Sequence, residues 1–124
     1  MNPRRKQRVA ELVRDASSRI IQKDFTARLP AMVTVMRVEM TDDLKNARIF
    51  ISLYGTDEEK KVSLEILRKA LKYIRRQLGG AIKIRHLPFL TFIEDSSLEH
   101  AFKIEALLNK LKEGNESSET AGGG

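Results

Sequence analysis

Two segments of the chain alternate apolar and polar residues with a period of two, and only a short polar stretch separates them. Within Val33 to Met40, Met36, Val38 and Met40 fall on one side, with Val35, Arg37 and Glu39 on the other. Within Ala47 to Tyr54, Ala47, Ile49, Ile51 and Leu53 alternate with Arg48, Phe50, Ser52 and Tyr54. Successive side chains of a strand point to opposite faces, so each segment predicts a strand with one apolar face. The intervening Thr41-Asp42-Asp43-Leu44-Lys45-Asn46 is a turn cluster, and an antiparallel hairpin follows.

The rest of the chain switches to helical periodicity. Val9, Leu12, Val13, Ala16 and Ile20 share one face of a helix over residues 4–23, and Pro30 keeps it from running much further. Gly55 ends the second strand, and Thr56-Asp57-Glu58-Glu59 has the pattern of a capping box. The helix it opens reaches about Leu78, with Leu67, Ala70, Leu71, Ile74 and Leu78 inward, and Gly79-Gly80 weaken its end. Pro88 stops any helix, and Phe89 to Ile93 reads as a third strand. Ser96-Ser97-Leu98-Glu99 offers a second capping box for a last helix whose inner face is Ala101, Ile104, Leu108 and Leu111.

This order, α-β-β-α-β-α, predicts an α+β domain: a three-stranded mixed sheet with helices on one face. At 124 residues the chain holds one domain, over residues 1–112. Residues 113–124 contain Glu, no Lys or Arg and a Gly-Gly-Gly end, the composition of a disordered acidic tail.

The longest stretch without an acid runs from Ile66 to Ile93 and carries Arg68, Lys69, Lys72, Arg75, Arg76, Lys83 and Arg85. Arg68, Lys72, Arg75 and Arg76 recur at the spacing of one outer helical stripe. A solvated helix ordinarily mixes its signs, because opposite charges at i,i+4 help it and like charges hurt. One reading is a charged face that keeps the protein soluble. The other is a phosphate-binding surface, and a second cluster at Arg4, Arg5, Lys6 and Arg8 together with a net charge of +6 favours it. Among the aromatics, Phe92 and Phe102 are assigned to the core, and Phe50, Tyr54, Tyr73 and Phe89 are surface candidates. That supply supports base stacking weakly; a structured RNA held by shape and phosphate geometry fits better.

Catalysis finds no support. His86 and His100 have no metal-ligand spacing, Glu94 and Asp95 would point to opposite faces of an extended segment, and Gly79-Gly80 lack the pattern of a phosphate-binding loop. No catalytic residue, cofactor or metal is expected. Cysteine is absent, so disulfides are excluded. No apolar run is long enough to span a bilayer, and the first helix lacks a Trp or Phe anchor, so a soluble cytoplasmic protein is expected.

Over Arg4 to Leu111 the chain resembles the bacterial ribosome-binding factor A family. The resemblance lies in Arg8-Val9-Ala10-Glu11, Val38-Glu39-Met40-Thr41-Asp42-Asp43-Leu44 and Ala47-Arg48-Ile49-Phe50-Ile51. It continues in Ile74-Arg75-Arg76-Gln77-Leu78-Gly79, Ile84 to Phe92 (IRHLPFLTF), Asp95-Ser96-Ser97 and Leu107-Leu108. It implies a type II KH-like fold, α-β-β-α(kink)α-β-α, without the GxxG loop of ordinary KH domains. It also implies a non-enzymatic assembly factor that binds the small (30S) ribosomal subunit and its 16S rRNA. Such factors assist late maturation of the 16S rRNA 5′ end, are linked to growth in the cold, and in some bacteria leave with help from a GTPase. The family kink is usually Ala-x-Gly; here Ala70-Leu71-Lys72 keep the Ala and replace the Gly by Lys. Either the kink is shallower, or Ala70 sets it alone.

The combined expectation is a monomer whose Arg68, Lys69, Lys72, Arg75, Arg76, Lys83 and Arg85 contact rRNA phosphates, supported by Arg4, Arg5, Lys6 and Arg8. Reversing Arg75 and Arg76 to Glu should then abolish small-subunit binding and leave the fold intact. The rival reading is a protein–protein adaptor whose basic face binds an acidic partner.

Overall fold

The computed structural model describes residues 3–123, and the side chains of all of these except residues 98 and 114–123. Helix α1 (Pro3–Asp24) is followed by a 3-10 turn at Thr26–Arg28 and by strands β1 (Met32–Met40) and β2 (Asn46–Tyr54). Helices α2 (Asp57–Lys69) and α3 (Leu71–Ala81), strand β3 (Phe89–Glu94) and helix α4 (Ser97–Gly123) complete the chain. The sheet order is β1-β2-β3, with β1 antiparallel and β3 parallel to the central β2. The α+β class and mixed sheet are those expected from the periodicity. The tail expected over residues 113–124 lies, apart from Glu113, outside the described side chains.

One apolar face of the sheet carries the core. Ala47, Ile49 and Ile51 of β2 are fully buried, with Phe92 of β3 beside them, under Val13 and Ala16 of α1, Leu67 of α2, and Ile74 and Leu78 of α3. Strand β1 reaches this face by a device that its alternation hides. The register shifts between Val35, opposite Ile51, and Arg37, opposite Phe50, so Met36 is the extra residue of a bulge. A bulge resets the parity of a strand. Val33 and Val35 therefore pack against the core together with Val38 and Met40, whereas unbroken alternation set Val35 on the opposite face with Arg37 and Glu39.

The capping box of α2 is present: the Thr56 hydroxyl accepts from Glu59 N (3.1 Å) and the Glu59 carboxylate accepts from Thr56 N (2.8 Å). Those bonds hold Glu59 below the usual carboxylate range. The break between α2 and α3 falls at Ala70, whose φ −92° and ψ 7° lie in the sparsely populated bridge region, which an L-residue reaches with negative φ. Its N–H is shared between Ile66 O and Leu67 O, each at 3.1 Å. Nothing in that geometry needs glycine, and Lys72 sits one position into α3, exposed.

Helix α3 continues through Gly79-Gly80 to Ala81 rather than ending near Leu78. A Cβ at Gly79 would stand 2.8 Å from Leu87 Cδ1, so the bare glycine lets the segment before β3 lie close against the helix.

Helix α4 departs most from expectation. Ala101, Ile104, Leu108 and Leu111 are exposed rather than inward, and Phe102, assigned to the core, is 63% exposed. The helix lies over the edge of the open sheet face: Phe102 and Ala106 border a groove with Met32, Ser52 and Tyr54. That orientation turns the Ile104-Leu108-Leu111 stripe outward. The Glu99 carboxylate, expected to cap α4, is committed to Lys60 (2.6 Å) of α2 and Lys103 (3.4 Å). Asp95 accepts from Ser97 N (2.9 Å) at the start of the helix and pairs with Arg37 (2.6 Å). No helix among the described residues is long and apolar enough to cross a membrane.

Candidate nucleic-acid interface

Three segments far apart in sequence meet beside β3: the start of α1, the β1–β2 turn and the segment from α3 to β3. They enclose a cleft of about 1100 Å³. Arg4, Arg5 and Arg8 come from α1, Lys45 from the turn, and Lys83, Arg85 and His86 from the third segment. The floor is apolar, made by Val9, Leu12, Leu44, Ile84 and Leu87, and Phe89 stands in the wall.

Local chemistry holds each wall. The turn is closed by Thr41, whose hydroxyl accepts from Asn46 N (3.1 Å), and by Asp43, whose carboxylate accepts from the Thr41 hydroxyl (2.7 Å) and Lys45 N (3.0 Å). Those two bonds, both to Oδ1, pull Asp43 below the usual carboxylate range, so the acid that lines the cleft stays ionised. Leu44 adopts φ 59°, a left-handed conformation that costs a leucine roughly 1–2 kcal/mol. The turn so formed presents Lys45 O to Phe89 N at 2.8 Å, which joins it to the third segment.

The third segment is also tied to α3. Arg75 donates from Nε to Pro88 O and from Nη2 to Leu87 O, both at 2.8 Å, and its guanidinium lies 4.7 Å from the centre of the Phe89 ring. An arginine fork that satisfies two successive carbonyls fixes both direction and distance. Arg75 therefore braces the cleft wall, a role that its place on the helical stripe does not announce.

The other expected contacts divide by position. Arg5, Arg8, Lys83 and Arg85 are exposed at the cleft and make no ion pair among the described residues; Arg4 lines it with them. Lys6 is bound to Asp42 at 2.7 Å, and the Lys6 hydrogen bond and charge hold that carboxyl below its usual range. On the kinked helix pair, Arg68 leans over β3 towards Phe92 O (3.4 Å). Lys69 lies on the opposite flank, beside Phe25 and Tyr73. Lys72 and Arg76 fall between those flanks and are exposed. Lys45 and His86 were not among the expected contacts: Lys45 lies outside the acid-free run, in a turn, and His86 was not counted with the run's Lys and Arg.

The surface aromatics also separate. Phe50 is half-buried under the Arg37 guanidinium, 3.9 Å from the ring centre. Tyr73 packs edge-on against Phe25 and donates its hydroxyl to Asp24 (2.9 Å), which raises its pKa. Tyr54 is exposed on the α4 side of the sheet. Only Phe89, 64% exposed, stands among the cations of the cleft. Among the described residues no three His, Asp or Glu side chains group as a metal site would require.

Fold and site together define a small α+β binding domain with a cationic, apolar-floored cleft. The family model of ribosome-binding factor A matches residues 5–108, and the chain belongs to that family. It is 45% identical over 111 residues to ribosome-binding factor A of Clostridium perfringens strain SM101, covering 88% of this chain and 96% of that one. With the factor of Thermomicrobium roseum it shares 39% identity over 117 residues, covering 94% and 91%. The fold is similar to that of a Thermus thermophilus ribosome binding factor A homology model fitted into a cryo-electron microscopy map of a 30S complex. There the TM-score is 0.62 at 22% identity, over 74% of this chain and 97% of that one.

Proposed function

We propose that this protein is a non-enzymatic assembly factor that docks on 16S rRNA of the small ribosomal subunit through its basic cleft. The observation that carries the reading is convergence. Arg5 and Arg8 at one end of the chain, Lys45 in the hairpin turn, and Lys83 and Arg85 before β3 border one cavity. Solvated charges gain nothing from being gathered, because like charges brought together repel, whereas a polyanion rewards the gathering. Family membership and the 30S complex of the Thermus relative support the choice of partner.

The finer part of the proposal follows the family resemblance. The α-β-β-α-α-β-α order is read as the type II KH-like arrangement, acting as a cytoplasmic monomer. Occupancy holds immature rRNA in one conformation while its 5′ end is matured, a step that matters most in the cold, and a ribosome-associated GTPase assists release. Lys72 and Arg76 extend the contact surface.

Sedimentation of lysate on a sucrose gradient tests the central claim. The protein should travel with small subunits, and its binding should fall with a log–log salt slope of roughly −4 to −5 if about six phosphates are neutralised. Reversal of Arg8 and Arg85 to Glu should remove it from that fraction without changing its unfolding midpoint. A double variant that still co-sediments at physiological salt refutes the cleft as the docking surface. Wild-type protein absent from small subunits at every salt concentration favours the acidic-partner adaptor.

A further inference from the structure

We propose that the cleft receives one unpaired nucleotide of the bound RNA, its base laid on the open face of Phe89 and its flanking phosphates held by Arg5, Arg8, Lys83 and Arg85. This rests on the RNA-docking reading above and adds the chemistry of what enters the cavity.

Three observations carry it. A surface that only counts phosphates needs cations on a convex or flat face, yet here the cations rim a cavity of about 1100 Å³ with an apolar floor of Val9, Leu12 and Leu87. A flat, largely apolar base joined to anionic linkages has that same distribution of character. Secondly, Phe89 is 64% exposed at the cleft, whereas Met32 and Tyr54, the other strongly exposed large apolar side chains of the strands, border the groove beside α4. One face of its ring is occupied by the Arg75 guanidinium at 4.7 Å, so the other can accept a stacked base. Thirdly, the platform is pre-set. Phe89 N donates to Lys45 O at 2.8 Å, and Arg75 holds the two preceding carbonyls, so little ordering entropy remains to be lost on binding. A fully paired helix could not use the floor, because its bases are stacked inside the duplex.

The test compares two RNA hairpins that differ by a single bulged, unpaired nucleotide, with affinities read by fluorescence anisotropy on the full-length protein. Wild type should prefer the bulged hairpin by about tenfold, the size of one base–aromatic stack. Phe89→Leu, which keeps apolar volume, and Phe89→Ala should both bring the ratio of the two affinities, compared within each variant, to near one. Unfolding midpoints report whether each variant is folded. Equal binding of both hairpins by wild type, or a preference that survives in Phe89→Leu, overturns the inference. If the protein still sediments with small subunits in that case, the docking reading stands without it. Failure to bind either hairpin or small subunits overturns both. Tighter binding of polyglutamate than of either hairpin assigns the cleft to an acidic protein and also overturns it.

Discussion

Replacing Arg75 separates a strut from a phosphate ligand, because the two roles make opposite predictions for stability. In the native fold the guanidinium makes two bonds of 2.8 Å to Leu87 O and Pro88 O and lies 4.7 Å from the Phe89 ring. A hydrogen bond to a charged group contributes about 1.5–3 kcal/mol. Arg75 is only half-buried, and in Arg75→Ala the freed carbonyls recover some water, so about 1 kcal/mol per bond is the better figure. The guanidinium–ring contact adds about 0.5–1 kcal/mol. Arg75→Ala should therefore destabilise the domain by about 2.5–3 kcal/mol, summing the two bonds and the ring contact. Arg75→Lys keeps the charge and loses the fork, and should cost about half as much.

Urea unfolding gives the stability. Amide hydrogen exchange at Phe89, whose N–H is bonded to Lys45 O, reports the local loosening and should accelerate in both variants. A phosphate ligand behaves otherwise: Ala would leave stability untouched and reduce the magnitude of the salt slope by about one, and Lys would retain most of the binding. If Arg75→Ala unfolds within about 0.5 kcal/mol of wild type, the range of ordinary surface substitutions, and Phe89 exchange is unchanged, the strut assignment is wrong.

Ser63 is fully buried and its Oγ accepts from Ala31 N at 2.9 Å, joining α2 to the entry of β1. Ser63→Ala strands that N–H and should cost about 1–2 kcal/mol in urea unfolding; RNA affinity should not move, and a neutral effect on stability would contradict the bond. Asp95 is held below its ordinary value of 3.8 first by Ser97 and then by Arg37. A depressed carboxyl stabilises the fold above the unfolded-state value and loses that contribution as pH falls through the folded one. The stability gap between wild type and Asp95→Asn should accordingly be constant near neutrality and shrink as pH falls below 3.8, followed by circular dichroism; no gap near neutrality would count against the pairing.

The hairpin, the helices and the Thr56–Glu59 cap were legible because each follows from side-chain period or from groups within a few residues of one another. So was the excess of positive charge and its concentration near Arg4–Arg8 and Ile66–Ile93. A period is a local property of the backbone and is written into the residues directly.

Where a side chain ends up is another matter. Strand β1 reads as plain alternation, and only pairing with β2 shows that Met36 bulges and returns Val35 to the core. The stripe Ala101-Ile104-Leu108-Leu111 reads as a buried face, but burial needs a covering surface, and α4 meets the sheet edge through Phe102 and Ala106 instead. Arg75 shares a helical stripe with Lys72 and Arg76, yet its partners are two carbonyls more than ten residues away, which no spacing rule records. The long acid-free run therefore contains two kinds of cation. By itself the sequence determined the elements, the capping of α2 and the sign of the surface. Tertiary structure alone decided which cations hold the protein together and which gather, with Phe89, around one cleft, because hydrogen-bond partners and neighbouring charges come from distant parts of the chain.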